Sequence, residues 1–130
     1  MRKILVDSSV WISFFKNKNK HTGLKELIKQ NQVCTNDLIL TELIPFLKLK
    51  KKQALIDALY QLTHIKIGIN WAWIIHCQME NLKHGVNKIG IPDLIILDNV
   101  LSNHLILYTE DKHFKLMNTY IHFDLYKNNP

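Results

Sequence analysis

Ile4-Leu5-Val6-Asp7-Ser8-Ser9-Val10-Trp11-Ile12 is the stretch whose reading decides the fold. Ile4 to Val6 is a short, continuous apolar strand of the kind buried on both faces of a parallel sheet. Asp7 ends it with a charge, and a charge closing a buried central strand needs a reason. Ser8 to Phe15 then reads as a short helix running into the polar stretch Lys16 to His21. Leu105 to Tyr108 repeats the pattern near the other end of the chain. It is a continuous apolar strand followed by Thr109-Glu110-Asp111 and a short helix from Lys112 to Met117.

The intervening chain alternates in the same way. Gly23 to Gln30 is a second helix and Val33 to Thr35 a second strand. Asn36 or Asp37 caps a helix through about Leu47, with a bend expected at Pro45. Leu55, Ala58, Leu59 and Leu62 mark a helix over Gln53 to Leu62. Ile65 to Ile67 reads as a strand ended by Gly68, and Asn70 as the cap of a long helix to about His84, stopped by Gly85. Pro92 sits in the first turn of a helix from Gly90 to about Asn103. Tyr120 to Leu125 alternates and predicts a final edge strand. Strands separated by helices imply an α/β fold with a mostly parallel sheet.

Length and composition set the bounds. The chain has 130 residues, enough for one domain with its own core; 47% are hydrophobic and 22% charged, as in an ordinary globular protein. No stretch approaches 18 apolar residues, so no membrane span is expected. The basic start and its apolar run are interrupted at Asp7 with no small-residue cleavage site after it. A first strand in a cytoplasmic protein is therefore expected rather than a signal peptide. Cys34 and Cys77 each lie in an apolar segment and read as reduced core thiols. The histidines are scattered, without a zinc spacing. The net charge of +6 is compatible with a nucleic-acid partner but equally with solvated lysine runs.

In this basic chain only 11 residues are acidic, so their placement stands out. Asp7 and Asp111 follow parallel strands at their carboxyl ends. Glu42 lies about one and a half turns into the helix after Val33–Thr35, and Asp93 in the first turn of the helix preceding Leu105. Ligands bind beyond the carboxyl ends of such strands, so four carboxylates can converge on one cleft. Two carboxylates about 4 Å apart repel by roughly 4 kcal/mol at an effective dielectric near 20. Protonation relieves this, and so does a divalent ion; Mg²⁺ and Mn²⁺ take hard oxygen ligands. Singly, each acid has a structural alternative: Asp93 and Asp111 suit helix N-termini, and Glu42 suits a solvated helix face.

The opening Ile4-Leu5-Val6-Asp7-Ser8-Ser9-Val10-Trp11-Ile12 resembles that of PIN domains. Leu40-Thr41-Glu42-Leu43 resembles their Thr-Glu segment, Ile91-Pro92-Asp93-Leu94-Ile95-Ile96 their third acidic motif, and Tyr108-Thr109-Glu110-Asp111-Lys112-His113-Phe114 their closing Thr-x-Asp with its following Phe. The matches fall in order across nearly the whole chain, and VapC-like toxins of bacterial toxin–antitoxin pairs are the most similar subgroup. The resemblance implies one domain over residues 1–130, with a three-layer α/β/α architecture. It implies metal-dependent cleavage of RNA, with tRNA a common target, by a homodimer whose cleft a cognate antitoxin occludes. On that reading Asp7, Glu42, Asp93 and Asp111 hold Mg²⁺ or Mn²⁺, with Glu42 completing the site or orienting the attacking water. Ser9 and Thr109 orient carboxylates, and Lys16, Lys18 and Lys112 neutralise RNA phosphates. Asp98 stands where the family commonly has a small apolar residue. It points about 140° away from Asp93 on a helix, and is expected to support the cluster from behind or to be structural. Trp11, Phe14 and Phe15 offer an antitoxin an aromatic helix, although Trp11 and Phe14 serve equally well as core. Leu55, Leu59 and Leu62 are candidates for a dimer face. Two alternatives stay open: a phosphoaspartate-type phosphatase, disfavoured because Ser9 stands where a second Asp is needed, and an inactive RNA-binding or scaffold domain.

Overall fold

The computed structural model describes residues 2–127. The apolar runs form strands β1 (Ile4–Val6), β2 (Val33–Thr35), β3 (Thr63–His64) and β4 (Ile106–Tyr108). Helices fill the intervals: α1 (Ser8–Lys16), α2 (Leu24–Lys29), α3 (Asp37–Leu49), α4 (Gln53–Tyr60), α5 (Trp71–Lys83), α6 (Ile91–Ser102) and α7 (Lys112–Met117). The strands pair in the order β3-β2-β1-β4, and every pair is parallel. Leu5 stands opposite Cys34 on one side and Leu107 on the other. Leu5, Val6, Cys34 and Leu107 are fully buried, as strands covered by helices on both faces require. Around them α1 packs on α3, α3 on α4, and α5 on α6, giving the α/β/α layering.

The strand order locates the cleft. From β1 the chain steps outward to β2 and β3, then crosses to the far side of β1 to lay down β4. The direction reverses between β1 and β4, and a crevice opens at the carboxyl ends of the strands on such a switch point. Asp7 follows β1 and Thr109 follows β4.

Side-chain caps position the helices that frame this edge. Asn36 Oδ1 accepts the Ile39 N–H at 2.9 Å and starts α3, so Asn36, not Asp37, is the cap. Asn36 Nδ2 donates to Asn99 Oδ1, whose own Nδ2 donates to the Lys66 carbonyl. This buried chain of amides ties the start of α3 to α6 and to the segment after β3, satisfying polar groups that water does not reach. Asn70 Oδ1 caps α5 through the Trp73 N–H. Pro45 lies inside α3, which continues to Leu49.

Three expectations change. The third strand is Thr63–His64 rather than Ile65–Ile67. Its ladder closes where the Ile65 N–H donates to the Thr35 carbonyl, and the next carbonyl, Lys66, is taken by Asn99. Tyr120–Leu125 is not a full strand. Asn118 Nδ2 donates to the carbonyls of Ile121 and Phe123, removing acceptors that a ladder would use. Pairing with β4 is limited to Leu125, through Leu107 N–H to the Asp124 carbonyl and Tyr126 N–H to the Leu107 carbonyl. Finally, Leu59 is buried and Leu55 and Leu62 pack against the core, so the apolar side of α4 is no free dimer face. The same period-3.6 pattern serves core and interface alike.

Candidate metal centre

Asp7 occupies the N-cap position of α1 but makes no cap bond. Its backbone serves both neighbours. The N–H continues the sheet by donating to the Tyr108 carbonyl, and the carbonyl accepts from Val10, in the first turn of α1. The side chain is thereby free to turn toward β4, where Oδ2 accepts from Ser9 Oγ and Thr109 Oγ1, both at 2.8 Å. Ser9 Oγ also accepts the Glu110 N–H, and Thr109 Oγ1 the Asp111 N–H. Both hydroxyls thus bond the Asp7 carboxylate and the turn after β4. They hold Asp7 in one orientation and fix the turn that presents Asp111.

Asp111 caps α7, its Oδ1 accepting the His113 N–H at 2.9 Å. The capping role and the place in the cluster coexist in one carboxylate with two oxygens. Asp93 enters from the first turn of α6, after the Pro at its start. Glu42 reaches in from α3. The residue is exposed on the surface of α3, but its surroundings still desolvate the carboxyl enough to push its pKa up; the charges of Asp7 and Asp93 push it further, and a Ser8 hydroxyl bond opposes them.

Burial and mutual repulsion act together on Asp7, Glu42 and Asp93. Burial raises the Asp7 pKa despite its hydroxyl bonds, with Asp111 adding to the rise. Asp93 is pushed up to about 6 by burial and then by Asp111 and Asp7, with His113 pulling the other way. Like charges held together out of water disfavour ionisation. One ligand atom each from Asp93, Asp111 and His113 lies within 4.8 Å of the others. Donors this close, with negative charge in excess, fit a divalent cation.

His113 was not among the residues expected here. Its signal was its place two residues after a capping Asp, since the start of a helix folds that ring back beside the cap. Lys112 is exposed next to Asp111. Lys16 and Lys18 line instead a groove of about 680 Å³ between α1, α3 and α4, with Phe15, Phe46 and Leu55 in its walls and Glu42 shared with the cluster. Trp11 and Phe14 are core residues, whereas Phe15 is half-buried and stacks on Trp11.

Asp98 does not join the cluster. Its Oδ2 accepts the Asn70 N–H at 2.9 Å and its Oδ1 the Ser102 hydroxyl at 3.1 Å, so it anchors the start of α5 to α6. A second network went unread because its members lie far apart in sequence. His21 bonds the Tyr108 hydroxyl through Nδ1 and Glu110 through Nε2, both at 2.6 Å, and Ser13 donates to the other Glu110 oxygen. Burial raises the Glu110 pKa, but bonds from Ser13 and His21 outweigh it and hold the carboxyl below its usual value. This network clips the lysine-bearing loop after α1 to the end of β4. Cys34 and Cys77 are free and buried, with burial pushing their thiols up to about 12 and about 11, which suits inert core residues.

A family model described as the PIN domain matches residues 4–119. No curated protein matches the chain significantly. Three solved structures resemble it along most of its length. The DNA-bound VapBC of Salmonella typhimurium is 21% identical, covering 88% of this chain and 92% of that one with a TM-score of 0.64. VapBC2 of Rickettsia felis, bound to a fragment of its promoter, is 18% identical, covering 97% and 98% with a TM-score of 0.74. VapBC-1 of nontypeable Haemophilus influenzae is 19% identical, covering 94% and 96% with a TM-score of 0.65. At these identities the likeness is one of fold.

Proposed function

Because the chain belongs to the PIN-domain family, we propose that it is a divalent-metal-dependent endoribonuclease acting as the toxin of a toxin–antitoxin pair. What supports this reading is the close group of Asp93, Asp111 and His113, together with the charge repulsion that ties Asp7 and Glu42 to the same acids near the end of β1. Three of these carboxyls are held above their ordinary pKa by burial and by one another. A fold that maintains such repulsion gains from it only when a cation arrives.

The residues divide the work. A divalent ion held here, Mg²⁺ or Mn²⁺, lowers the pKa of water and neutralises phosphate charge. Asp7 is kept in position by Ser9 and Thr109, so little reorganisation is needed when substrate binds. Asp93, from the first turn of α6, and Asp111, from the start of α7, supply further carboxylates. Glu42, its pKa raised by burial and by the charges of Asp7 and Asp93, suits the acceptance of a proton from attacking water. Water adds to phosphorus, the bond to the 3′ oxygen breaks, and the products carry a 5′-phosphate and a 3′-hydroxyl. Lys112, exposed beside Asp111, and Lys16 and Lys18, on the adjoining groove, are proposed to neutralise flanking phosphates; tRNA is a candidate substrate.

The VapBC neighbours support an antitoxin partner. The groove between α1, α3 and α4 leads to Glu42 and has apolar walls and a lysine rim, which suits an amphipathic segment whose cationic tip reaches the acids. A homodimer is proposed as well, and α5 offers an apolar stripe for it in Trp71, Ile75, Met79 and Leu82, all exposed. Among the described residues no helix is long and apolar enough to cross a membrane; a cytoplasmic site of action is proposed.

Cleavage of end-labelled RNA in Mg²⁺, in Mn²⁺ and in excess EDTA tests the activity, with product ends read by phosphatase and ligase sensitivity. Metal-dependent cleavage leaving 5′-phosphates is expected. Full activity in EDTA contradicts the reading.

A further inference from the structure

The acid cluster includes one side chain that is not an acid. His113, the second residue of α7, has its Nδ1 3.3 Å from Asp111 Oδ1, and its backbone N–H donates to that same oxygen. Its ring is about one-third exposed. The cap bond fixes the backbone beneath the ring and so keeps the imidazole within reach of Asp111.

We propose that His113 is a metal ligand, placing a nitrogen donor beside the carboxylates of Asp93 and Asp111 and biasing the site toward Mn²⁺ over Mg²⁺. This rests on the reading that the cluster holds a divalent cation. Ligands about 2.1 Å from a small octahedral ion stand about 3.0 Å apart when adjacent and about 4.2 Å apart when opposite. The 3.3 Å between Nδ1 and Oδ1 is close to the adjacent spacing. All three ligand atoms lie within 4.8 Å of one another, so small side-chain rotations can bring them onto one ion.

The chemistry then separates the ions. Mg²⁺ favours carboxylate, carbonyl and water oxygens and gains little from imidazole. First-row transition ions accept imidazole readily, and affinity rises from Mn²⁺ through the later members of the series. An all-carboxylate centre discriminates little between Mg²⁺ and Mn²⁺, whereas one nitrogen ligand favours Mn²⁺. The plainer role for His113, an ion pair with Asp111 at a position about one-third exposed, contributes little to stability and leaves no mark on metal preference.

Two measurements on the purified full chain decide between these roles. In Mn²⁺-loaded protein, pulsed electron paramagnetic resonance is expected to show coupling to a histidine ¹⁴N nucleus. This needs no variant and so does not depend on one folding. Calorimetric titration of wild type and His113→Gln is expected to show Mn²⁺ affinity falling about tenfold or more, with Mg²⁺ affinity changed less than about threefold. Absence of nitrogen coupling, or equal weakening of both ions, overturns the proposal while leaving a metal-dependent nuclease in place. Failure of the wild type to bind either ion removes both readings.

Discussion

Replacing Asp93 by Asn removes one charge from the cluster with little change in size, and the metal-free protein should respond in a pH-dependent way. The Asp93 carboxyl is raised from 3.8 to about 6 in the fold. A carboxyl whose folded pKa lies above its unfolded one holds its proton longer in the folded state. The folded state therefore binds more protons between about pH 4 and pH 6, and stability falls as pH rises through that window. The penalty is complete above about pH 6 and absent below about pH 4. A gap from 3.8 to about 6 corresponds to at most about 3 kcal/mol. Partial exposure of Asp93 screens part of this, and a charge in the first turn of α6 contributes about 0.3–1 kcal/mol through the helix dipole, which Asn forgoes. The net expectation is that metal-free Asp93→Asn is more stable than the parent by about 1 kcal/mol at pH 7.5 and equal to it at pH 4. Urea unfolding at both pH values in EDTA measures this. Adding Mn²⁺ at pH 7.5 should reverse the order, because ligand binding stabilises the parent by mass action and the variant less. Equal destabilisation of Asp93→Asn at both pH values would refute the reasoning and make Asp93 a structural helix-start residue.

Asp98→Ala strips the Asn70 N–H of its partner and should cost about 1–3 kcal/mol of stability, while the melting-temperature gain on adding Mn²⁺ stays as in the parent. Thr109→Val removes the bond to Asp7 and the acceptor for the Asp111 N–H; metal affinity by calorimetry should fall about 10–100-fold in a protein that still melts cooperatively. His21→Ala breaks its bonds to Tyr108 and Glu110 and should speed amide hydrogen exchange in the loop after α1 with about 1–3 kcal/mol lost, whereas unchanged exchange there would show that the network does not hold the loop.

Much of this architecture was legible in the order of short signals. Short, mostly apolar runs at Ile4–Val6, Val33–Thr35 and Leu105–Tyr108 identified β1, β2 and β4 because strands buried on both faces admit little else. Caps such as Asn36 and Asn70 marked helix starts through local hydrogen bonding. What escaped was non-local. The end of the third strand depends on Asn99 claiming the Lys66 carbonyl across the fold. The failure of Tyr120–Leu125 to pair fully depends on Asn118, whose side chain takes two backbone carbonyls. Asp7 and Asp111 could be read as neighbours because topology alone brings the ends of β1 and β4 together. Asp98 read ambiguously because an acid on a helix carries no sign of which neighbouring N–H it will satisfy. His113 and the His21–Glu110 pair carried no spacing that distinguishes them from surface residues.

The central claim is that the carboxylates at the β1–β4 switch point hold the ion that cleaves RNA, and Asp7→Asn tests it most directly. Asp7 is buried, and its Oδ2 is held by Ser9 and Thr109, so the change is confined to one charge at one place. Cleavage of a labelled RNA at saturating Mn²⁺, with Asp37→Asn as a control outside the cluster, should fall by about two orders of magnitude or more in Asp7→Asn and remain parental in Asp37→Asn. Parental cleavage by a folded Asp7→Asn protein would contradict the account.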